Sequence, residues 1–319
     1  MTRSENFILD FTHIYIDENI EQTENIVRID CSDILETDLY CTKEGEAEIQ
    51  KRIENFSING VHFIDSGNYH YITKIMTDKI NKKFSLVLYD HHTDMQKPMV
   101  EGMTSCGDWA AQVIEQNENL EQLILVGASE ADIQQINVKN QSKLITFSAE
   151  ELRNNSGREK LDLIETDVPF YISIDKDILD KHYIETNWSQ GHMSLGMLEH
   201  LLKFFLKDKK IIGVDICGEC QIGLPFPEYI EAEEKNAETN IELYEYILGC
   251  VKDSEVLSGV IKLADAYRDK KILSKLLDIL LLKTVDNTDA DNLINTRVLC
   301  AKAIANYKDT STVGALLYK

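Results

Sequence analysis

Basic residues are scarce in this 319-residue chain. There are 33 Lys and Arg against 55 Asp and Glu, a formal charge of −22 with a pI near 4.7. DNA, RNA and anionic lipid each need a local surplus of Lys and Arg, so this balance argues against all three as partners. It admits a cationic small molecule, a divalent metal, or nothing beyond solubility. Long apolar runs are missing too. No stretch of about 18 apolar residues occurs, and the opening MTRSENFILDF lacks the basic-then-apolar order of a signal peptide. A cytoplasmic protein without a membrane segment is the expectation. The seven cysteines (Cys31, Cys41, Cys106, Cys217, Cys220, Cys250 and Cys300) are odd in number and dispersed, which suits reduced thiols better than a disulfide framework. The one close pair, Cys217-Gly-Glu-Cys220, has redox or zinc-knuckle spacing, but a zinc site wants a second such pair and none is present. Low-complexity segments are missing as well. With 43% hydrophobic and 28% charged residues, the chain has the composition of a folded globular protein rather than a disordered one.

What is there is an alternation. The apolar runs FILDF (7–11), VHFID (61–65), FSLVLYD (84–90), LILVGA (123–128), KLITF (143–147), VPFYISID (168–175) and KIIGVDI (210–216) are short and rich in Val, Ile, Phe and Tyr. They mix residue types rather than alternating strictly, as strands buried on both faces of a parallel sheet do. Helix-like stretches lie between them at 69–82, 108–116 and 194–207, and Ser148-Ala-Glu-Glu151 reads as a capping box opening another. Strands alternating with helices predict βαβ units and a doubly wound sheet. After about Val251 the pattern turns wholly helical in SEVLSGVIKLADAY, ILSKLLDILLLK and NLINTRVLCAKAIANY. We therefore expect an α/β domain over 1–250 and an all-helical extension over 251–319, the latter an appended domain or a dimerisation element of a homo-oligomer.

Ligands of open α/β sheets bind beyond the carboxyl ends of the strands. Four predicted strand ends here carry acids or imidazoles: Ser66-Gly67-Asn68-Tyr69-His70, Asp90-His91-His92-Thr93-Asp94, Asp175-Lys176-Asp177, and Asp215-Ile216-Cys217-Gly218-Glu219. In an extended chain residues two apart share a face, which puts Asp90, His92 and Asp94 together, and likewise Asp175 and Asp177. Like charges at close range raise one another's pKa, so these carboxylates are either spread apart in solvent or held together by cations. Mixed imidazole and carboxylate donors suit Mn²⁺, Fe²⁺ or Zn²⁺, and the excess of hard oxygen donors leans towards Mn²⁺. Six such ligands serve two ions roughly 3.5–4 Å apart, which lower the pKa of a water between them. His13, His62, His182, His192 and His200 have no partner pattern and read as packing or surface residues. His91 is expected to point away from its two neighbours.

At these residues the sequence resembles the ureohydrolase family of arginase, agmatinase and formimidoylglutamase. That family carries a G-G-D-H turn, then D-A-H-x-D, S-x-D-x-D-x-x-D and D-x-x-E; here SGNYH, DHHTD, SIDKDILD and DICGE stand in the same order. The resemblance runs from about Phe56 to Cys250, is most specific at Ser173–Asp180, and includes QGHMSLGML before the next helix. It implies an arginase-like three-layer αβα sandwich and a pair of Mn²⁺ ions per chain. His70, Asp90, Asp94 and Asp175 would hold one ion, and His92, Asp90, Asp175 and Asp177 the other, with Asp90 and Asp175 bridging. Asp94 would orient a metal-bridging hydroxide that attacks a guanidino or formimino carbon of a small cationic substrate. Gln96, Ser105 and Glu219 would bind that substrate, Glu219 also acting in catalysis.

Three departures from the family pattern stand beside these matches. In DICGE the acid falls one residue late, with Gly218 where the glutamate of D-x-x-E belongs. The stretch Met103–Trp109 contains no histidine where arginase has its proton shuttle, and Asn68-Tyr69 replaces Gly-Asp before the first ligand. All six ligand positions match while the substrate-facing ones differ. Two alternatives therefore stand beside the ureohydrolase reading: a related amidohydrolase or deacetylase-like enzyme, and a non-catalytic metal-binding scaffold.

Overall fold

The computed structural model describes residues 6–15, 26–207 and 209–267. The first half of these runs β1 (Asn6–Asp10), β2 (Ile26–Asp30), β3 (Tyr40–Cys41), α1 (Lys43–Arg52), β4 (Val61–Phe63), α2 (Ile72–Asp78), β5 (Phe84–Tyr89), β6 (Thr104–Ser105) and α3 (Trp109–Gln116). The second half runs β7 (Leu120–Val126), α4 (Glu130–Ile133), β8 (Leu144–Phe147), α5 (Ala149–Asn154), β9 (Phe170–Asp175), α6 (Leu195–Leu206), β10 (Ile211–Cys217) and α7 (Phe226–Tyr267). Eight strands form one sheet in the order β2-β1-β4-β10-β9-β5-β7-β8, and every pairing in it is parallel. The expected doubly wound α/β architecture is what forms.

All seven predicted strands are present, and their mixed apolar sequences have the reason given above. Every residue of β5 and of β9 is buried. In β5, Leu86 and Leu88 enter one apolar cluster with Ile72, Ile75 and Met76 of α2 and Trp109 and Val113 of α3. Val87, Ile124 and Ile172 are equally buried but stand outside that cluster, because successive side chains leave a strand on opposite faces. Strand β2 is the addition. Its sequence IVRID is short and carries two charges, and as an edge strand it keeps Val27 47% exposed, so no buried run announces it. The small antiparallel ladder of β3 with β6, pairing Tyr40 with Ser105, is too short to register in sequence. The Ser148 capping box is present: its side chain accepts from Glu151 N, and the Glu151 side chain accepts from Ser148 N.

The chain divides into two compact units. One is Met1–His200 with Lys209–Tyr244, which contains the whole sheet; the other is Leu201–Asp208 with the chain from Glu245 onward. The change of organisation expected at Val251 falls inside α7, which is one continuous helix from Phe226 to Tyr267. The segments 272–283 and 292–307 lie outside the described residues.

Asp65 fastens the strand ends from which the candidate site is built. Its side chain accepts from Phe11 N, Thr12 N, Thr12 Oγ1 and Ser66 N, and its carbonyl accepts from Gly218 N. The ends of β1, β4 and β10 are thereby tied to one residue. Burial outweighs those donors and pushes its carboxyl up to about 6, from an ordinary 3.8. A carboxyl raised on folding binds protons more tightly in the native state, so stability falls as pH rises between the two values. This residue is expected to cost about 2 kcal/mol of stability on going from pH 4 to pH 7. Urea titrations across that range check it: Asp65→Asn flattens the pH slope relative to the wild type, and an unchanged slope refutes the assignment.

Candidate metal centre

Four adjacent strands, β4, β10, β9 and β5, deliver the predicted site at their carboxyl ends. After β4 the chain makes a 3-10 turn over Gly67–Tyr69, which hands His70 inward with 1% exposure. Three carboxylate oxygens converge on its Nδ1: Asp94 Oδ2 at 2.9 Å, Asp90 Oδ2 at 3.3 Å and Asp175 Oδ2 at 3.4 Å. On the other side of the ring, Nε2 lies 2.9 Å from Ser173 Oγ, which in turn donates to Asp215 Oδ1 at 2.6 Å. Because the serine proton is committed to Asp215, the serine oxygen accepts from Nε2–H. The lone pair of the neutral ring therefore sits on Nδ1, facing the carboxylates. Asp215 is thus a support behind the histidine rather than a member of the cluster.

The residues named by the alternation argument do come near one another, but by a different geometry. Asp90 to Asp94 is a curled loop: His92 N donates to Asp90 Oδ1 at 2.5 Å, and Asp94 takes a left-handed φ of +50°. Asp175 ends β9, and the chain then enters a 3-10 turn over Lys176–Ile178, where Asp177 N donates to Asp175 Oδ1 at 2.9 Å. Aspartates that accept from a backbone N–H two residues on build such turns themselves. The result still gathers all six residues. His92 Nδ1 is 2.7 Å from Asp177 Oδ2 and 3.6 Å from Asp90 Oδ1. Asp94 Oδ2 accepts from the indole Nε1 of Trp109 at 2.6 Å.

The donor chemistry fits cations. Among the described residues, His70, Asp90 and Asp94 form one compact set of potential metal ligands, Asp90, His92 and Asp177 a second sharing Asp90, and His70, Asp175 and Cys217 a third sharing His70. Buried His70 Nδ1 and Asp90 Oδ2 make no hydrogen bond, although buried polar atoms are nearly always paired. Four carboxylates against two imidazoles leave uncompensated negative charge. Burial and the neighbouring Asp90 charge push the Asp94 carboxyl up to about 7. Burial disfavours the His92 cation, but Asp177 and Asp90 overcome it and push its pKa up to about 12. A positive charge is stabilised wherever it is placed in this cluster.

A pocket of about 240 Å³ opens above the cluster. His92, Asp94, Asp175 and Asp177 form part of its lining, predicted Gln96 and Ser105 line it as well, and Tyr40, Lys97, Met99 and Trp188 add an aromatic, apolar and singly cationic wall. Sequence reasoning missed this wall because its residues come from loops whose only shared order is the β3–β6 ladder. Trp188 is held by Nε1 donating to Asn68 Oδ1 at 3.0 Å and packs its ring edge-on against His92. His62 is a packing residue, as expected, stacked on Phe7 at 3.9 Å.

Glu219 is the correction. It does not reach the pocket but is fully buried, with its carboxylate held by the Nζ of Lys176, by Asn236 Nδ2 at 3.0 Å and by Asn240 Nδ2 at 2.9 Å. The preceding Gly218 has φ +99°, and a Cβ there would stand 2.6 Å from Asp175 Oδ1 and 2.9 Å from Lys176 N. The position at which D-x-x-E would place its glutamate thus admits glycine alone. Lys176 is fully buried, with its Nζ also donating to Asn240 Oδ1 at 2.6 Å. Removing one partner of a buried pair strands the other's charge, typically at about 3–5 kcal/mol. Lys176→Met is expected to destabilise the protein by that amount, and Lys176→Met with Glu219→Gln to recover part of it. Chemical denaturation of both variants measures this, and equal losses would contradict the pairing.

Comparison with known proteins agrees with this geometry. The Arginase family sequence model matches residues 11–219. A protein of Thermotoga maritima described only as uncharacterized is 30% identical over 254 residues, 79% of this chain and 95% of its own. Among solved structures, formimidoylglutamase of Bacillus subtilis superposes with a TM-score of 0.57 at 15% identity, covering 78% of this chain and 87% of its own. Formiminoglutamase of Trypanosoma cruzi, solved with Mn²⁺, gives 0.52 at 11% identity over 71% and 76%. With four adjacent strand ends bearing the expected acids and imidazoles, and with two thirds of its length matched, the chain belongs to the Arginase family.

Proposed function

We propose that this protein is a binuclear metallohydrolase that cleaves a C–N bond of a formimino or guanidino compound. The observation that carries the reading is the gathering of His70, Asp90, His92, Asp94, Asp175 and Asp177 into overlapping sets of potential ligands, with the buried Nδ1 of His70 making no hydrogen bond. His70, Asp90, Asp94 and Asp175 would hold one ion and His92, Asp90, Asp175 and Asp177 the other, with Mn²⁺ proposed from the oxygen-rich donor set. When bound, such a pair supplies Lewis acidity and a water acidified to near neutral pH.

The protein's own residues do the rest. Asp94, which lines the pocket, would take a proton from the attacking water and return it to the leaving nitrogen. The Trp109 indole occupies one of its oxygens and fixes its direction. The Ser173–Asp215 relay holds the His70 ring, as partners behind a metal-binding histidine commonly do. Gln96 and Ser105 offer polar contacts to the substrate, and Tyr40, Met99 and Trp188 cover its apolar part.

One observation favours a second substrate class within the same chemistry. With Glu219 paired to Lys176 and glycine at 218, the pocket lining among the described residues holds no carboxylate beyond the cluster itself to grip a guanidinium. A neutral amide needs no such clamp, and a formimino group has one nitrogen fewer to hold than a guanidino group, so both suit the site better.

Purified protein is expected to carry about two divalent ions per chain and to release formamide, ammonia or urea from formimino or guanidino substrates when loaded with Mn²⁺. Asp175→Ala is expected to lose both ions and at least a hundredfold in activity, about the effect of removing one key catalytic contribution. Elemental analysis and a coupled ammonia assay read the two outcomes. Full metal content in that variant sinks the assignment, and a fully loaded wild type inactive on all these compounds favours a scaffold.

A further inference from the structure

One acidic hydrogen belongs to the cluster that the six predicted ligands do not include. Cys217 is the last residue of β10 and pairs in register with Asp175, the last residue of β9, while Asp215 pairs with Ser173 one step below. Residues two apart on a strand share a face, so the two strands present a lower layer of Ser173 and Asp215 and an upper layer of Asp175 and Cys217. His70 spans both. Its Nε2 meets the lower layer at Ser173, and its Nδ1 faces the upper one. Cys217 is fully buried, its Sγ stands 3.2 Å from Asp175 Oδ2, and that oxygen is 3.4 Å from His70 Nδ1.

Those separations have a meaning beyond hydrogen bonding. Two adjacent donors of one metal ion, at bond lengths of about 2.0–2.3 Å, stand roughly 2.8–3.5 Å apart. The donor atoms of His70, Asp175 and Cys217 all lie within 4.8 Å of one another, and His70 Nδ1 is a buried nitrogen with no hydrogen bond.

We propose that Cys217 is a thiolate ligand of the ion on the His70 side, making that half of the centre a nitrogen–oxygen–sulfur site for a borderline-soft metal, Co²⁺, Fe²⁺ or Zn²⁺, rather than for Mn²⁺. The proposal rests on the binuclear reading above and alters the donor set and metal preference of one half of it. Binding forms a sulfur–metal bond and sends the thiol proton to solvent, since a coordinating thiol is deprotonated outright. Thiolate selects softer metals, whereas carboxylate and water suit manganese. The opposite half, built on His92, Asp90 and Asp177, has no thiol among its donors and keeps the harder preference.

Cobalt loading of the full chain tests this without an activity assay. The wild type is expected to show an intense sulfur-to-cobalt charge-transfer absorption in the near ultraviolet that is lost in Cys217→Ser and kept in Cys106→Ser, the latter removing the thiol that lines the pocket. In competition, Cys217→Ser is expected to shift preference from Co²⁺ towards Mn²⁺ by about tenfold or more, at least the loss caused by removing a partner outside the coordination shell. Cobalt bound without that absorption, or an absorption that survives Cys217→Ser, overturns the thiolate ligand and leaves the metal centre standing. Failure to take up cobalt, manganese or zinc overturns both. A binding preference unchanged in Cys217→Ser also overturns the proposal.

Discussion

Negative charge brought out of water governs this structure. Asp90, Asp94, Asp175 and Asp177 are each at least 93% buried, and among the described residues their ion-pair partners are the imidazoles of His70 and His92. Such a cluster folds only when each carboxylate has donors of its own. The chain supplies them locally. Asp90 and Asp175 accept from backbone two residues on, Asp177 accepts from His91 N, and Asp94 accepts from an indole. Those donors also set the loop shapes that aim the ligands. The electrostatic cost and the geometry of the site therefore have one origin, and a cation among these oxygens offsets the part that the donors leave.

The buried Lys176 belongs to the same balance. It lies between two of the clustered aspartates in sequence, yet its ammonium turns away to Glu219 and Asn240 on the other side of the strand end. A cation is thus kept next to the cluster but outside it. Glu219, displaced by one residue from the family position, is the anion that holds it there. The one-residue shift in DICGE removes an acid from the pocket and creates a structural ion pair. This is one reason for the pocket's neutral and aromatic outer wall.

The strands could be read from sequence because burial on both faces of a parallel sheet leaves a direct imprint in runs such as FSLVLY and VPFYIS. The candidate site residues could be grouped because parallel strands all end at the same edge, so acids and imidazoles just after separate strands are neighbours before any loop is known. What could not be read depends on loop path. The edge strand β2 has two of its five residues exposed and only one buried, and Glu219 turns on the positive φ of Gly218. Trp188 is held at the pocket by a hydrogen bond to Asn68, 120 residues away. Cys217 stood in plain view as part of a cysteine pair, but its meaning lies in register with Asp175, which a single sequence does not encode.

Trp109 and Trp188 are the only tryptophans in the chain. One donates its N–H to Asp94 with its ring 4.9 Å from that of His70, and the other stands edge-on to His92. Every indole is therefore within van der Waals or hydrogen-bonding reach of one half of the centre. The intrinsic fluorescence of this protein is in effect a spectrum of its site, one emitter buried beneath it and one partly solvated at its mouth. A cation bound at either candidate ligand set would therefore alter the tryptophan emission, with no label attached.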